Sequence, residues 1–345
     1  MEMPKTIHLV GSVGLDSAQE VFRTVGLKFG DRLKRVPDGE PGPRRLWVSF
    51  QYPLLRSSPF LRPDPSGAVR VTSGFPLLCL SDGVSADEIR FGELGYAREA
   101  RASYLDFCEA RSRGDIPASA RFQVCLPTPM GVIYAFCTAR DIEQIEPAYE
   151  AAFIREVQEL CRSIPSQDLC IQWDFCHEMI IWDGQPQQMF PLKNTSPSEI
   201  MARMIRICGP IPREVELGFH ICYGDFGAKH FIEPVDSSRM VEVVNAISDV
   251  VAHPIAYFHL PVPISRTDDA FYAPLTNIRI SSSTEVFLGL LHIKDGKAGA
   301  KQRIEAARKY LPEFGVGTEC GIARARKPGL VLQILQLHAD ATQAP

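Results

Sequence analysis

Short apolar runs that alternate with amphipathic stretches of helical period constrain the fold of this chain more than any other feature. Eight of these runs are strand candidates: Thr6–Val10, Arg32–Val36, Arg121–Cys125, Leu169–Trp173, Glu214–Phe219, Ile255–Phe258, Glu285–Leu290 and Phe314–Gly317. Helical patterns follow several of them, as at Ile142–Arg162 and Pro197–Cys208. Strands that alternate with helices in this way are typical of a parallel sheet or barrel. We therefore predict an α/β fold, a single (β/α)8 TIM barrel that spans residues 1–345 as one domain.

One segment interrupts this alternation after the second predicted strand. The span Tyr52–Ser85 is rich in Pro, Ser and Gly, and the pattern of Leu94–Arg111 then predicts a helix that returns to the barrel. We interpret residues 52–90 as an excursion that forms a lid or a dimer contact. A homodimer is therefore one assembly that the sequence allows.

Composition excludes several classes of protein. The chain has 345 residues, 45% hydrophobic and 23% charged, with a net charge of −4 and no basic patch. We expect no nucleic-acid partner. No apolar run is long enough for a signal peptide or a membrane span, so we expect no membrane association and a cytoplasmic location. The ten cysteines lie singly in apolar segments, which favours reduced thiols over a disulfide framework.

Polar or conformationally special residues follow the predicted strands. They are Gly11-Ser12, Asp38-Gly39-Glu40, Thr128, Asp174, His220 with Cys222, His259, His292 and Cys320. In a (β/α)8 barrel the carboxyl ends of all strands converge on one face, where active sites are built. The sequence therefore predicts one functional site at that face, for a small-molecule substrate.

The pair His220-Ile221-Cys222 predicts a metal site. Residues two apart on a strand point to the same face, and imidazole and thiolate are both zinc ligands. Cys320, after the last predicted strand, would supply a third ligand and leave one position open. The alternative is that these are buried core residues, since free cysteine is often buried.

An ordered set of short motifs resembles the catalytic barrel of the cobalamin-independent methionine synthases. The segments are HLVGS, RVPDGEPGPRR, CIQWD, FHICYGDF and GTECGIAR, and they occur in the order found in that family. FHICYGDF is similar to the family's zinc-binding HMCY motif. The resemblance implies a zinc ion held by His220, Cys222 and Cys320. His259 stands where the family has a glutamate ligand, so we expect it as the fourth ligand or as a residue that lines the pocket.

The same resemblance implies roles for other residues at the predicted strand ends. Gly11 and Ser12 would hold an amino-acid substrate, and Glu40 and Asp174 would bind its amino group. Tyr134 is the nearest aromatic residue in the segment that resembles the family's folate-stacking region.

Catalytic roles are expected for Asp174 and His292. An imidazole suits proton transfer near neutral pH, so His292 would be a general acid, although a hydrogen-bonded core histidine is the alternative. Arg44 and Arg45 would clamp a substrate carboxylate, unless they face solvent.

Departures from the family favour a changed substrate. The second acid after Asp174 is replaced by Phe175, and Lys294 stands near the place of a family histidine. We expect a zinc-dependent methyl or alkyl transferase that acts on an amino-acid-like thiol or thioether. The alternatives are a metal-independent lyase or decarboxylase acting on a carboxylated metabolite, and a metal-binding barrel without turnover.

Overall fold

Parallel strands form the centre of the fold. The computed structural model describes residues 3–70, 74–184, 195–225, 227 and 229–343. The strands within this part of the chain are β1 (Arg35–Pro37), β2 (Leu61–Pro63), β3 (Leu78–Leu80), β4 (Arg121–Pro127), β5 (Leu169–Phe175), β6 (Glu216–Ile221), β7 (Ile255–Pro261), β8 (Glu285–Gly289) and β9 (Gly315–Val316). Of these described strands, seven form one curled sheet in the order β1-β4-β5-β6-β7-β8-β9. Every neighbouring pair in that sheet is parallel.

Helices connect the successive strands. The described α-helices are α1 (Ala18–Phe29), α2 (Tyr52–Ser57), α3 (Tyr96–Ser112), α4 (Pro129–Phe136), α5 (Ile142–Ser163), α6 (His177–Trp182), α7 (Pro197–Cys208), α8 (Ser238–Val250), α9 (Asp269–Tyr272), α10 (Gly296–Arg308) and α11 (Pro328–Ala341). Local sequence explains several boundaries. Helix α7 begins with a capping box in which Ser196 and Glu199 satisfy each other's backbone N–H groups, and Pro197 occupies its first turn. The predicted mixed α/β architecture is therefore confirmed.

The first predicted strand, Thr6–Val10, is only partly integrated into the sheet. Ile7 forms an isolated parallel bridge with Val316, and His8 N donates to Val316 O at 2.9 Å. On its other side Ile7 N donates to the carbonyl of Arg32, which precedes β1, so no ladder with β1 develops. Of the predicted eight-stranded barrel, the structure confirms a curled parallel sheet of seven strands within the described residues.

The excursion between β1 and α3 contains a small hairpin. Strands β2 and β3 pair antiparallel, with Leu61 opposite Leu80. Leu78 also forms a parallel bridge with Cys137, which follows α4. Arg70 donates to the main-chain oxygen of Tyr134 at 2.8 Å. These contacts attach the excursion to the region after β4.

The core lies on both faces of the central strands. All seven residues of β5 are buried, as parallel strands covered on both faces require. Helix α5 packs with a buried stripe that includes Ile142, Ile145, Tyr149 and Phe153, the spacing of one helical face. Within the described residues, no helix combines the length and the apolar character needed to cross a membrane.

Close packing between β6 and β7 generates a stability prediction at Gly218. A Cβ at Gly218 would lie 2.2 Å from the Cζ atom of Tyr257, which is fully buried and donates its hydroxyl proton to Gln172 Oε1 at 3.0 Å. We expect Gly218→Ala to lower the free energy of unfolding by about 1–3 kcal/mol, because overpacking displaces the ring. Gly92→Ala is the matched control, since a Cβ there meets no atom within 4 Å. Denaturant unfolding measures both, and equal stability of the two variants would contradict the packing argument.

Candidate metal centre

Three predicted ligands meet at the carboxyl ends of the strands. His220 lies near the end of β6, Cys222 follows it, and Cys320 lies in the turn after β9. One ligand atom from each of the three lies within 4.8 Å of the other two. Phe175 pairs with Ile221 across β5 and β6, and this register brings the motif to the same edge as the end of β5.

The spacing of the sulfur atoms suits a zinc ion. Cys222 Sγ and Cys320 Sγ are 3.8 Å apart, too far for a disulfide bond. Two thiolates bound at about 2.3 Å with a tetrahedral angle have sulfur atoms roughly 3.8 Å apart. His220 Nε2 is buried without a hydrogen-bond partner. An unpaired buried nitrogen beside two sulfur atoms is the environment that a soft or borderline metal ion satisfies.

His259 contacts His220 and lies outside the group of three. The two Nδ1 atoms are 2.8 Å apart across the paired strands β6 and β7. Burial is the main cause that lowers the pKa of His259 to about 3, and burial followed by the charge of His259 lowers the pKa of His220 well below its usual value. Both rings are therefore neutral at pH 7.

A hydrogen bond between the two Nδ1 atoms requires that one of them carries a proton and the other accepts it. If His220 donates from Nδ1, its Nε2 carries a free lone pair for a metal ion and His259 carries its proton on Nε2. In this arrangement His259 orients a ligand, as partners behind metal-bound histidines do. Its expected role as a ligand stays a prediction.

N–H donors surround the two sulfur atoms. Gly224 N lies 3.3 Å from Cys222 Sγ, and Arg324 Nη2 lies 3.4 Å from Cys320 Sγ. In the protein without metal, contact with the Cys176 thiol and burial raise the pKa of Cys222, whereas contact with Cys320 opposes that shift. Contact with Cys222 and burial raise the pKa of Cys320. A bound dication would reverse this preference, because metal binding displaces the thiol proton.

A cavity of about 250 Å³ opens beside this cluster. Its lining includes all three clustered residues and the predicted substrate-binding residues Gly11, Ser12, Glu40 and Asp174. Apolar side chains form much of the remaining wall, and they are Val10, Leu46, Trp47, Val48, Phe75, Ala135, Phe136 and Phe231. The structure thus brings most of the predicted site to one cavity.

Two carboxyl groups share the polar end of the cavity. Burial, followed by the charges of Asp174 and Asp38, raises the pKa of Glu40 to about 8. Burial also raises the pKa of Asp174 to about 7, although hydrogen bonds from Gln172 Nε2 and Trp47 Nε1 oppose the shift. A cation placed between the two carboxyl groups would draw both into the ionised form.

Gly11 gives the Glu40 carboxyl group its space. A Cβ at Gly11 would lie 2.9 Å from Glu40 Oε1. Glu40 has a positive φ of 52°, which aims its side chain, and its N–H bonds to Asp38 Oδ1 at 2.9 Å. Ser12 lies beside Gly321, next to Cys320, and its carbonyl accepts from Ile322 N at 2.7 Å. Gly11 and Ser12 therefore lie between the acids and the metal cluster.

The arginine at the cavity differs from the two that the sequence suggested. Arg44 pairs with Asp38 at 2.7 Å, and Arg45 donates to the carbonyl of Leu15 at 2.8 Å. Arg324 lines the cavity and pairs with Asp225 at 3.2 Å. It belongs to the GTECGIAR segment, so its place in that motif was the available signal.

Besides His259, two further predicted residues lie away from the cavity wall. His292 Nε2 is 2.9 Å from the carbonyl of Val262, and its Nδ1 is 3.4 Å from Glu319 Oε2. Burial is the main cause that lowers the pKa of His292 to about 4. Tyr134 is fully buried within α4. Neither is among the residues that line the cavity.

Trp47, and not Tyr134, is an aromatic residue that lines the cavity. Its Nε1 donates to Asp174 Oδ2 at 3.1 Å, and its ring stacks on His177 with a centroid distance of 5.8 Å. Trp47 has a φ of 55°, an uncommon conformation for a bulky residue. No pattern in the segment RRLWVSF predicts this left-handed turn.

Comparisons with known proteins relate the fold to one group of enzymes. No protein-family model matches the chain, and no curated protein sequence matches it. A protein of Listeria monocytogenes described as a vitamin-B12-independent methionine synthase has a similar structure, with a TM-score of 0.55, 15% identity and full coverage of both chains. A B12-independent methionine synthase of Shewanella sp. W3-18-1, solved with selenomethionine, also has a TM-score of 0.55 and 15% identity, over 98% of this chain and 95% of its own. The chain therefore has the fold of the methionine synthases, as the sequence motifs suggested.

The raised pKa of Glu40 generates a prediction on pH and stability. Because the folded pKa, about 8, exceeds the usual value near 4.5, the folded state binds more protons than the unfolded state between these limits. The contribution of Glu40 to the free energy of unfolding therefore falls as pH rises through this window. We expect Glu40→Gln to gain stability relative to the unmodified protein between pH 5 and about 8.5, as measured by denaturant unfolding at equal zinc content.

The groups that act on Glu40 are Asp174, Asp38, Arg44 and Arg324, and all are retained in this variant. Glu313→Gln, at an exposed position, is the control. A difference between Glu40→Gln and the unmodified protein that stays constant with pH would contradict the assignment.

Proposed function

We propose that the protein is a zinc-dependent methyl or alkyl transferase that acts on an amino-acid-like thiol or thioether. The observation that carries this proposal is the group of His220, Cys222 and Cys320 at the polar end of a cavity that also contains two acids. The zinc ion would supply a Lewis acid that holds a thiol as thiolate at neutral pH.

The residues of the chain would divide the work of binding. His220, Cys222 and Cys320 would hold the ion, and His259 would fix the ring of His220 through the 2.8 Å contact between their Nδ1 atoms. Glu40 and Asp174 would bind a substrate ammonium group. Arg324 would offer a cation to a carboxylate on the same substrate, although it shares that charge with Asp225.

A changed methyl donor or acceptor is part of this proposal. The similar Shewanella enzyme was solved with selenomethionine, an amino acid of the expected class. In this chain Phe175 stands where the family has a second acid after Asp174. Trp47, from a different segment, provides an aromatic surface in the cavity. The first change removes a carboxylate that would act on charge in the substrate, and the second alters the aromatic surface that would orient a ring of the methyl donor. With methyltetrahydrofolate and homocysteine we therefore expect turnover slower by on the order of 10²–10³ than in a dedicated synthase.

No observation at the cavity favours the metal-independent lyase. That alternative relied on Arg44, Arg45 and Asp174 to orient a carboxylated substrate, and of these only Asp174 lines the cavity. Both arginines are engaged elsewhere, with Asp38 and with the carbonyl of Leu15. The sulfur-rich donor group would also have no purpose in such an enzyme.

The architecture that we propose around this site is a closed barrel in a single domain of residues 1–345. Hydrogen bonds from Ile7 and His8 to both sides support Thr6–Val10 as the closing segment. We also propose that residues 52–90 act as a lid, since Phe75 from this excursion lines the cavity.

Metal analysis tests whether the group of His220, Cys222 and Cys320 binds zinc. We expect about one zinc ion per purified chain, since three ligands form one site. Cys320→Ser should lose most of the metal and keep its fold, because Cys320 lies in a turn at the cavity and not within a strand. Elemental analysis and circular dichroism measure the two effects. Cys161→Ser, on helix α5, is the control and should retain the metal.

Protein that contains no zinc and cannot be loaded with it would overturn the proposed function. Loss of metal from the Cys161 variant as well would show that the assay reports general unfolding.

Substrate binding tests the assignment of the acids. We expect Asp174→Asn to weaken binding of homocysteine roughly ten- to hundredfold, since a hydrogen bond to a charged group contributes about 1.5–3 kcal/mol. Binding of 4-mercaptobutyrate, which lacks the amino group, should change little. Calorimetry with both thiols and zinc analysis of the variant make the comparison. Equal weakening of both thiols, or loss of zinc, would show that Asp174 supports the metal and not the amine.

A further inference from the structure

A third cysteine lies beside the proposed zinc ligands. Cys176 follows β5 directly, and the N–H of Cys222 donates to the carbonyl of Phe175 at 3.0 Å. This bond places Cys176 next to Cys222 at neighbouring strand ends. The two side chains are in hydrogen-bonding contact, and Cys176 lines the same cavity as His220, Cys222 and Cys320. Cys176 is 2% exposed, so its side chain is shielded from bulk solvent.

Several other donors near the cluster are engaged with neighbours. The Nδ1 atom of His259 contacts His220, and Asp225 pairs with Arg324 at 3.2 Å. Glu319 lies between His230 and His292, at 3.7 and 3.4 Å. Coordination through His259 Nδ1, Asp225 or Glu319 would break an existing polar contact in a buried site, whereas His259 Nε2 has no hydrogen-bond partner and is the competing donor.

We propose that Cys176 is the fourth protein ligand of the zinc ion, so that one histidine and three cysteines hold it. This inference rests on the proposed function only in requiring that zinc binds to the first three residues. Cys176 lies outside the group whose ligand atoms are all within 4.8 Å of one another. A rotation about its χ1 angle therefore accompanies binding, as the thiol leaves its contact with Cys222 for the ion.

Charge balance supports a third thiolate. Zinc with one neutral imidazole and three thiolates carries a net charge of −1. Arg324, whose Nη2 lies 3.4 Å from Cys320 Sγ, places a positive charge beside the site, and it shares that charge with Asp225 at 3.2 Å. Buried charges need such a partner, because an isolated ion in a dry site is expensive. Zinc also accepts a fifth ligand in some catalytic sites, so a substrate thiol retains access.

Counting sulfur ligands tests the proposal. X-ray absorption at the zinc edge of the zinc-loaded protein should give three sulfur neighbours and one nitrogen. Cys176→Ala should give two sulfur neighbours, and its zinc affinity in a chelator competition should fall by at least the 10- to 100-fold typical of lost supporting partners. Cys208→Ala is the control, because Cys208 is a buried cysteine at the end of α7, outside the cavity lining, and should keep three.

The outcomes separate this inference from the proposed function. Two sulfur neighbours in the unmodified protein, with no change in Cys176→Ala, would overturn the role of Cys176 and leave the three-residue zinc site standing. Absence of zinc binding would overturn both. If Cys176→Ala does not fold, the unmodified protein still decides. Zinc should then protect Cys176 from alkylation by iodoacetamide, and unprotected reaction at Cys176 with zinc bound would refute the proposal.

Discussion

The register between β5, β6 and β7 is the constraint on which the site depends. Asp174 pairs with His220, and His220 pairs with His259, so three functional side chains lie at the same level of adjacent strands. In a pleated sheet a slip of one residue turns every side chain of a strand to the opposite face. Burial on both faces, as in β5, makes such a slip costly, because it would exchange the whole set of packed side chains. The precision of the metal cluster is therefore a consequence of the packing of apolar residues below it.

A buried polar network connects the cavity to the centre of the sheet. Gln172 donates to Asp174 Oδ1 at 2.9 Å, and its Oε1 accepts from Tyr257 at 3.0 Å and contacts His8 Nε2 at 2.9 Å. A satisfied network of this kind fixes the orientation of each member, because an unpaired group in a low-dielectric interior is strongly unfavourable. Asp174 is thus oriented by groups drawn from β5, β7 and the Thr6–Val10 segment. Through His8, the network also fixes the Thr6–Val10 segment to the sheet, although that segment lacks a full ladder of backbone hydrogen bonds.

Sequence patterns predicted the elements whose signals are local. Helix Pro197–Cys208 was predicted with the bounds that the structure has, and the predictions for β4, β5 and β7 agree at their first residues. The trio of His220, Cys222 and Cys320 was predictable because strand alternation and strand ends fix where such residues point. Trp47 and Cys176 were not, since their positions depend on a left-handed turn and on a neighbouring strand. A full strand was predicted at Thr6–Val10, but the structure has only a single bridge there, at Ile7. An apolar run does not reveal that Ile7 bonds to Arg32 and not to β1.

The cavity has two ends of different chemistry, and they are built by different parts of the chain. The polar end comes from strand ends held in register by the sheet. Half of the apolar residues in the wall, Leu46, Trp47, Val48 and Phe75, come from the connection between β1 and α3. Loops accept sequence change at less cost than a packed sheet does. Sequence changes in this connection would therefore alter that part of the apolar wall, while the polar end stays fixed by the sheet. Apolar burial contributes about 25 cal/mol per Å², so a ligand of the proposed class would gain affinity from this wall in proportion to the apolar area that it buries.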